Sequence, residues 1–329
     1  MANDAANPTG DAPAMRLRDV TLDFRIRAGV GRDRMLRALD AVNLDVAPGE
    51  ILGLVGESGS GKTTLGKTML GVHRPTAGEI LYRGADLASL SKKDWRPYRR
   101  DLQMVFQDPL SSFNPRFTIG SSLALPLALH GICARSEIPA RVEALLTRVG
   151  LGGDHARRYP HELSGGQLQR VAIARAISVE PRIVVADEAV SKLDISVRAQ
   201  VLNLLKRMNR ETQAGLVFIT HDLGVARFLC DRIAVMYFGR IVELGPTRAV
   251  FDAPRHPYTV TLLRAREHGR ARAKIATDAD ESAAAIPDPV RACLYAPRCP
   301  RRLAKCLEER PRRTSDAHSH ACFNPVETV

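Results

Sequence analysis

The run Ile51-Leu52-Gly53-Leu54-Val55-Gly56-Glu57-Ser58-Gly59-Ser60-Gly61-Lys62-Thr63 decides the fold. Its first five residues form a short apolar stretch of the kind a strand buried in a parallel sheet requires. The next eight fit the pattern G-x-x-x-x-G-K-S/T, and a helix is expected to start near Gly61. Glycines let backbone N–H groups converge on phosphate oxygens, and the helix N-terminus adds partial positive charge. The residues Gly56, Glu57, Ser58, Gly59, Ser60 and Gly61 then cradle a nucleotide's phosphates. Lys62 reaches the β- and γ-phosphates, Thr63 offers its hydroxyl to Mg2+, and Thr64 completes the nucleotide-binding set. The competing reading, a glycine-rich structural turn, has no need of a buried strand before it and a helix after it.

Outward from this loop, strands alternate with helices. Alternation in Leu17-Arg18-Asp19-Val20-Thr21-Leu22-Asp23-Phe24 predicts one strand, and Leu36 to Val46 another, leading to a turn at Pro48-Gly49-Glu50. From Tyr98 to Val179 the pattern is mostly helical, with amphipathic segments at Ile138–Val149 and Gln167–Ile177. Strand-like runs return at Ile183–Ala186, Leu216–Thr220, Arg232–Phe238 and Ile241–Leu244, with a helix from Val197 to Arg210. This order argues for an α/β fold with a mostly parallel sheet. Residues 1–14 read as a loose tail, and residues 266–289 as a linker to a small cysteine-bearing piece.

A length of 329 residues favours two domains, or one large domain with an appendage. Hydrophobic residues at 45% and charged residues at 26% are ordinary globular usage, which excludes wholesale disorder. The net charge of +12 suggests nucleic acid, anionic lipid or nucleotide as a partner. However, 40 of the 48 basic residues are Arg, which points to compositional bias rather than a binding patch, so no nucleic-acid partner is expected. The longest apolar stretch, Ile119 to Ala134, is broken by Ser121, Ser122, Pro126 and His130, so any membrane role is peripheral. Met1 to Ala14 has neither basic residue nor apolar core and does not read as a secretory signal. A cytoplasmic protein with reduced or metal-binding thiols is therefore expected.

Two further motifs bear on chemistry. Ile183-Val184-Val185-Ala186-Asp187-Glu188 is a buried strand ending in two carboxylates, at the end where open α/β sheets bind ligands. Asp187 can hold Mg2+ through water, and Glu188 can orient and polarise an attacking water. Such a run is common by itself and acquires this meaning from the phosphate loop upstream. Leu163-Ser164-Gly165-Gly166-Gln167 opens a second helix with a glycine nest and a hydroxyl. A monomer can hardly aim two phosphate-seeking helix ends at one nucleotide. The pair predicts a dimer in which each nucleotide lies between one subunit's phosphate loop and the other's Ser164 motif.

With these residues in view, the sequence resembles the ATP-binding subunits of ABC transporters, whose signature is the pentapeptide ending in Ser164-Gly165-Gly166-Gln167. The resemblance implies a P-loop ATPase fold over residues 15–263: a mostly parallel core sheet, an antiparallel β subdomain and an inserted helical subdomain at about residues 98–180. It assigns Gln107 as the Q-loop glutamine that contacts Mg2+ or the attacking water, and His221 as the switch histidine at the γ-phosphate. Ser191-Lys192-Leu193-Asp194 is similar to the D-loop across the dimer interface, with Asp194 near nucleotide. Lys192 departs from the family's usual Ala. Phe24 sits where the family places an aromatic against adenine; a core ring is the alternative for it, as a satisfied loop histidine is for His221.

Three segments are similar to the oligopeptide/dipeptide importer ATPases, a group that includes nickel and glutathione importers. They are Gln107-Asp108-Pro109-Leu110-Ser111-Ser112-Phe113-Asn114-Pro115, Tyr159-Pro160-His161-Glu162-Leu163-Ser164-Gly165-Gly166-Gln167 and His256-Pro257-Tyr258-Thr259. This resemblance implies ATP hydrolysis driving import of peptides or similar solutes, with ATP and Mg2+ as ligands. Implied partners are an identical or paralogous ATPase, two transmembrane permease subunits and an extracytoplasmic solute-binding protein. The place implied is the cytoplasmic face of a bacterial inner membrane. The rival readings are a soluble ABC ATPase acting on ribosomes or nucleic acid, and a regulatory subunit that binds ATP without hydrolysing it. The first usually carries two cassettes or a long coiled coil, which this chain lacks, and intact Glu188 and His221 argue against the second.

Residues 264–329 are assigned to the linker and a C-terminal module holding Cys293, Cys299, Cys306 and Cys322. The spacings C-x5-C-x6-C-x15-C are not those of a zinc ribbon. They resemble the C-terminal module of peptide-importer ATPases, some of which carry a 4Fe–4S cluster on four such cysteines. From Arg291 to Arg313 there are eight basic and two acidic residues, a charge that would offset an anionic thiolate cluster. Zinc, free thiols and simple packing stay open as alternatives. Cys133 and Cys230, isolated in apolar surroundings, are expected in the core.

Overall fold

A computed structural model describes residues 13–27, 33–267 and 291–327. Of the tail expected over residues 1–14, residues 1–12 lie outside the described residues, as do residues 268–289 of the linker expected over 266–289. The chain divides into two compact units, one of Met1–Ala47, Leu52–Ala88 and Thr220–Val329, the other of Pro48–Ile51 and Ser89–Ile219.

The first unit begins with strands β1 (Met15–Arg27) and β2 (Asp33–Val46), paired antiparallel from Met15 opposite Val46 to Arg27 opposite Asp33. Leu17 and Val20 are an odd number of residues apart, so an unbroken strand would aim them at opposite faces. A register shift between them, with Asp19 at φ 47°, lets both stay buried. After β3 (Ile51–Val55), buried throughout, come α1 (Lys62–Met69), β4 (Ala77–Tyr82) and β5 (Ala85–Asp86). β2-β1-β4-β5 form a four-stranded antiparallel sheet.

The second unit carries β6 (Leu102–Val105), α2 (Ile119–Leu129), α3 (Ile138–Arg148), α4 (Gly165–Ile177), β7 (Ile183–Asp187), α5 (Ile195–Thr212) and β8 (Gly215–Ile219). Its strands run parallel in the order β8-β7-β6, as strands joined by helical crossovers must. β6 falls in the stretch whose pattern is mostly helical. Four residues are too few for periodicity to separate a strand from a helix, and pairing with β7 decides the matter. Thr118 caps α2 by accepting from the Ser121 N–H, and Gln213 ends α5 at φ 54°.

The chain then returns to the first unit with α6 (Leu223–Leu229), β9 (Arg232–Tyr237), β10 (Arg240–Pro246), α7 (Thr247–Asp252), α8 (Pro257–Glu267) and, in the C-terminal piece, β11 (Ser319–His320). Here the strand order is β11-β10-β9-β3, with β3 and β9 parallel and the other pairs antiparallel. The C-terminal piece is anchored at Glu243 on β10, whose carboxylate is wholly buried. It accepts from the N–H of Arg255 and His256 and faces His318 Nε2 at 2.7 Å. Burial alone would raise its pKa, but these hydrogen bonds prevail and hold it below the usual carboxylate range. No described helix is long and apolar enough to cross a membrane. Cys230 is buried as expected, whereas Cys133 is half-buried, because it lies in the turn between α2 and α3 rather than on a core face.

Candidate functional site

In the first unit the chain leaves β3 at Gly56, with φ 151° and no room for a side chain: a Cβ there would meet the Met236 carbonyl oxygen at 2.3 Å. At the far end of the loop Gly61, at φ 101°, lies under the Ala38 carbonyl, where a Cβ would come within 2.8 Å. Gly61 is also the N-cap of α1 and, having no side chain, makes no side-chain capping bond to the helix. Lys62 is buried, and its ammonium donates to the Gly56 carbonyl at 2.9 Å, the Glu57 carbonyl at 2.6 Å and Ser60 Oγ at 3.2 Å. The cation is thus held against the loop itself. Thr63 and Thr64 are half-buried in the first turn, and Ser58 and Gly59 are exposed at the tip.

The loop is braced from within the same unit. The Ser60 carbonyl accepts from Gly239, whose own carbonyl accepts from Asp40. The Glu57 N–H donates to Tyr258 Oη at 3.0 Å, and the Glu57 carboxylate pairs with Arg298 at 3.4 Å. Neither Tyr258 nor Arg298 was assigned a role from the sequence. The His-Pro-Tyr-Thr segment marked Tyr258 as noteworthy, but no local signal pairs either residue with the loop. His221 is exposed, in the turn between β8 and α6; its neighbour Asp222 caps α6 through the N–H groups of Gly224 and Val225. Phe24 is half-buried on β1 and meets His73 edge to face at 5.3 Å between ring centres.

In the second unit β7 ends in Asp187, buried, and Glu188, half-buried. Glu188 sits at φ 45°, a left-handed conformation that is costly for a non-glycine residue. It is over-determined there: its N–H donates to the Ile219 carbonyl, and its carbonyl accepts from both the N–H and Oγ of Ser191. Its carboxylate accepts from Gln107 Nε2 at 2.7 Å. The structure therefore brings together two residues that are 81 positions apart in the chain. Ser164 caps α4 in a reciprocal box with Gln167, accepting from its N–H at 3.3 Å while the Gln167 side chain accepts from the Ser164 N–H at 3.0 Å. Gly165 is exposed with open space about it, whereas a Cβ at Gly166 would meet Val197 at 2.3 Å. Asp194, exposed, is the N-cap of α5.

A Thr hydroxyl, a Gln amide oxygen and an Asp carboxylate are hard oxygen donors of the type Mg2+ prefers, so Thr63, Gln107 and Asp187 fit that ion by chemistry. For the four C-terminal thiols the picture is mixed. Burial pushes Cys293 and Cys299 up and Cys322 up to about 11, and the negative charge of the neighbouring thiols adds to each shift. The four are close enough to feel one another. Nevertheless, no group of three or more Cys, His, Asp or Glu among the described residues stands at metal-binding geometry.

Residues 39–191 match the ABC transporter family, and residues 242–306 match the oligopeptide/dipeptide transporter C-terminal region. The oligopeptide transport ATP-binding protein AppF of Bacillus subtilis is 41% identical over 312 residues, covering 93% of this chain and 95% of AppF. The glutathione import ATP-binding protein GsiA of Escherichia coli K12 is 48% identical over 255 residues, or 77% of this chain and 41% of GsiA. The match thus spans about two fifths of the length of that relative. Among solved structures, the dimeric post-hydrolysis state of the ATP-binding cassette MJ0796 bound to ADP and Pi superposes with a TM-score of 0.64. It is 32% identical, and the match covers 71% of this chain and 99% of that one. With both segments matched and AppF aligned over nearly its whole length, the chain belongs to the ABC transporter ATP-binding subunits, in their oligopeptide/dipeptide branch.

Proposed function

We propose that this chain binds and hydrolyses ATP to power an importer of di- or oligopeptides or similar small solutes, as a peripheral subunit on the cytoplasmic face of a bacterial membrane. The reading rests above all on Lys62, buried and hydrogen-bonded to the loop of Gly56–Gly61. In this proposal the partners are a second ATPase chain, two permease subunits and a solute-binding protein outside the membrane.

Lys62 exchanges the loop carbonyls for β- and γ-phosphate oxygens, while the loop amides and the α1 N-terminus meet the remaining charge. Thr63, Gln107 and Asp187 hold Mg2+, which neutralises developing phosphate charge when bound. Glu188 orients the attacking water and takes its proton, with Gln107 holding the carboxylate in place. His221 acts at the γ-phosphate, and Phe24 packs against adenine. Ser164, Gly165, Gly166 and Gln167 close over the nucleotide of the partner chain, with Asp194 at that interface. Phosphoryl transfer needs positioning and charge stabilisation more than covalent chemistry, which suits a site of glycines, one Lys and carboxylates. Glu188→Gln should nearly abolish turnover while ATP still binds; undiminished hydrolysis by that variant refutes the assignment. Co-purification with a permease rather than with ribosomes separates the transport reading from its rival.

We also propose that Cys293, Cys299, Cys306 and Cys322 hold an iron–sulfur cluster. The four-cysteine spacing, which resembles that of importer ATPases carrying such a cluster, and the excess of basic residues from Arg291 to Arg313 support this. Protein purified without oxygen should absorb in the visible and contain iron; colourless, iron-free protein removes the cluster.

A further inference from the structure

The Glu57 backbone and carboxylate are held by residues 201 and 241 positions further along the chain. The Arg298 guanidinium presents a fork to the Glu57 carboxylate, with Nη1 at 3.4 Å from Oε2 and Nη2 at 3.5 Å from Oε1, both side chains being largely shielded from solvent. Arg298 closes a short turn, Ala296–Arg298, that follows Tyr295 in the C-terminal piece. Tyr295 packs with Tyr237 at 5.3 Å and Tyr258 at 5.5 Å, so the residue that accepts from the Glu57 N–H and the turn that carries Arg298 share one aromatic cluster. A second arm comes from Arg310, which donates to Asp40 at 2.8 Å; Asp40 is joined through Gly239 to the Ser60 carbonyl. The C-terminal piece therefore grips the phosphate loop at both ends.

Glu57 occupies a position in the phosphate-loop pattern that the motif leaves free, so its tether is not demanded by phosphate chemistry itself. We propose that Arg298 is a positioning residue for ATP: by holding the Glu57 carboxylate it keeps the loop amides in their phosphate-binding arrangement, and the C-terminal piece thereby sets nucleotide affinity. The inference rests on the ATP-binding reading above. Because the fork acts before any bond is made or broken, it belongs to binding rather than turnover.

The test uses the full chain, with ATP affinity by calorimetry, KM and kcat for hydrolysis, and amide hydrogen exchange across residues 56–62. Arg298→Ala should weaken ATP binding and raise KM about tenfold, leave kcat within about twofold, and speed loop exchange. Arg298→Lys should recover part of the affinity, since it restores charge without the fork. Glu57→Gln should mimic Arg298→Ala, and the double variant should be no worse than either single one. Wild-type affinity and loop protection in folded Arg298→Ala overturn the proposal, as do additive effects in the double variant. Should Arg298→Ala fail to fold, Glu57→Gln decides alone, with unchanged affinity and exchange overturning it. If the wild-type chain binds no ATP, the functional reading falls, and the exchange comparison then decides whether Arg298 orders the loop.

Discussion

Gln107 donates from Nε2 to the Glu188 carboxylate at 2.7 Å, and Glu188 is itself held at a left-handed φ of 45° by bonds from Ser191 and to Ile219. A strained backbone and a captured carboxylate leave this side chain few alternative positions. That is the kind of restraint a group orienting water requires.

The hydrogen bond itself can be tested by substitution. Gln107→Ala removes a donor to a charged acceptor, an interaction worth about 1.5–3 kcal/mol, so kcat should fall about tenfold to a hundredfold. Gln107→Glu sets two carboxylates against each other and should be worse than the alanine variant. Steady-state hydrolysis at saturating ATP is the measurement; equal kcat for all three proteins would show that the contact has no catalytic consequence.

Gly56→Ala forces a Cβ into the Met236 carbonyl at 2.3 Å, at a φ that L-residues rarely adopt. Backbone strain of this sort costs about 1–3 kcal/mol, so the variant should melt several degrees lower and lose ATP affinity together. Gly59→Ala serves as a control, since its Cβ meets nothing within 4 Å and only its φ of 79° is strained. A smaller loss is expected there by thermal unfolding.

His256 gives the first unit a pH dependence. Burial pushes its imidazole down to about 4, outweighing the pull of Glu243, and its Nδ1 accepts from the Tyr258 N–H at 3.0 Å, which only the neutral ring can do. Because the unfolded state binds the proton near 6.5, stability falls as pH drops from 6.5 towards 4, by up to about 3 kcal/mol. Glu243, with its pKa depressed in the fold, adds a loss as pH falls below its ordinary 4.5. In His256→Asn, which keeps an acceptor but does not titrate, the slope above pH 4.5 should flatten. Denaturant midpoints across the pH series check this.

Cys322, with its pKa raised to about 11, should be slow to alkylate in metal-free protein at neutral pH. Its rate should climb about tenfold per pH unit up to about pH 10, whereas an unperturbed thiol would level off sooner. Mass spectrometry of the labelled peptide follows the reaction, and a plateau below pH 9 would show that the thiol is not held in its protonated form.

Much of this protein is written locally. The apolar run before Gly56, the glycine spacing up to Lys62, the carboxylates at the end of the apolar run from Ile183 and the helix start with its hydroxyl at Ser164 all depend on neighbours within a turn or a strand. Residue order alone therefore determined them, together with the family. The four-residue strand Leu102–Val105 escaped because it is shorter than the window in which periodicity can be read, and Cys133 because partial burial in a turn leaves no local trace. What only the tertiary structure decided is which distant groups meet. Tyr258 and Arg298 reach Glu57 across 201 and 241 residues, and Glu243 gathers the N–H groups of Arg255 and His256 together with His318. Such pairings arise from how strands and segments are brought side by side, and a side chain carries no mark of a partner that only folding supplies.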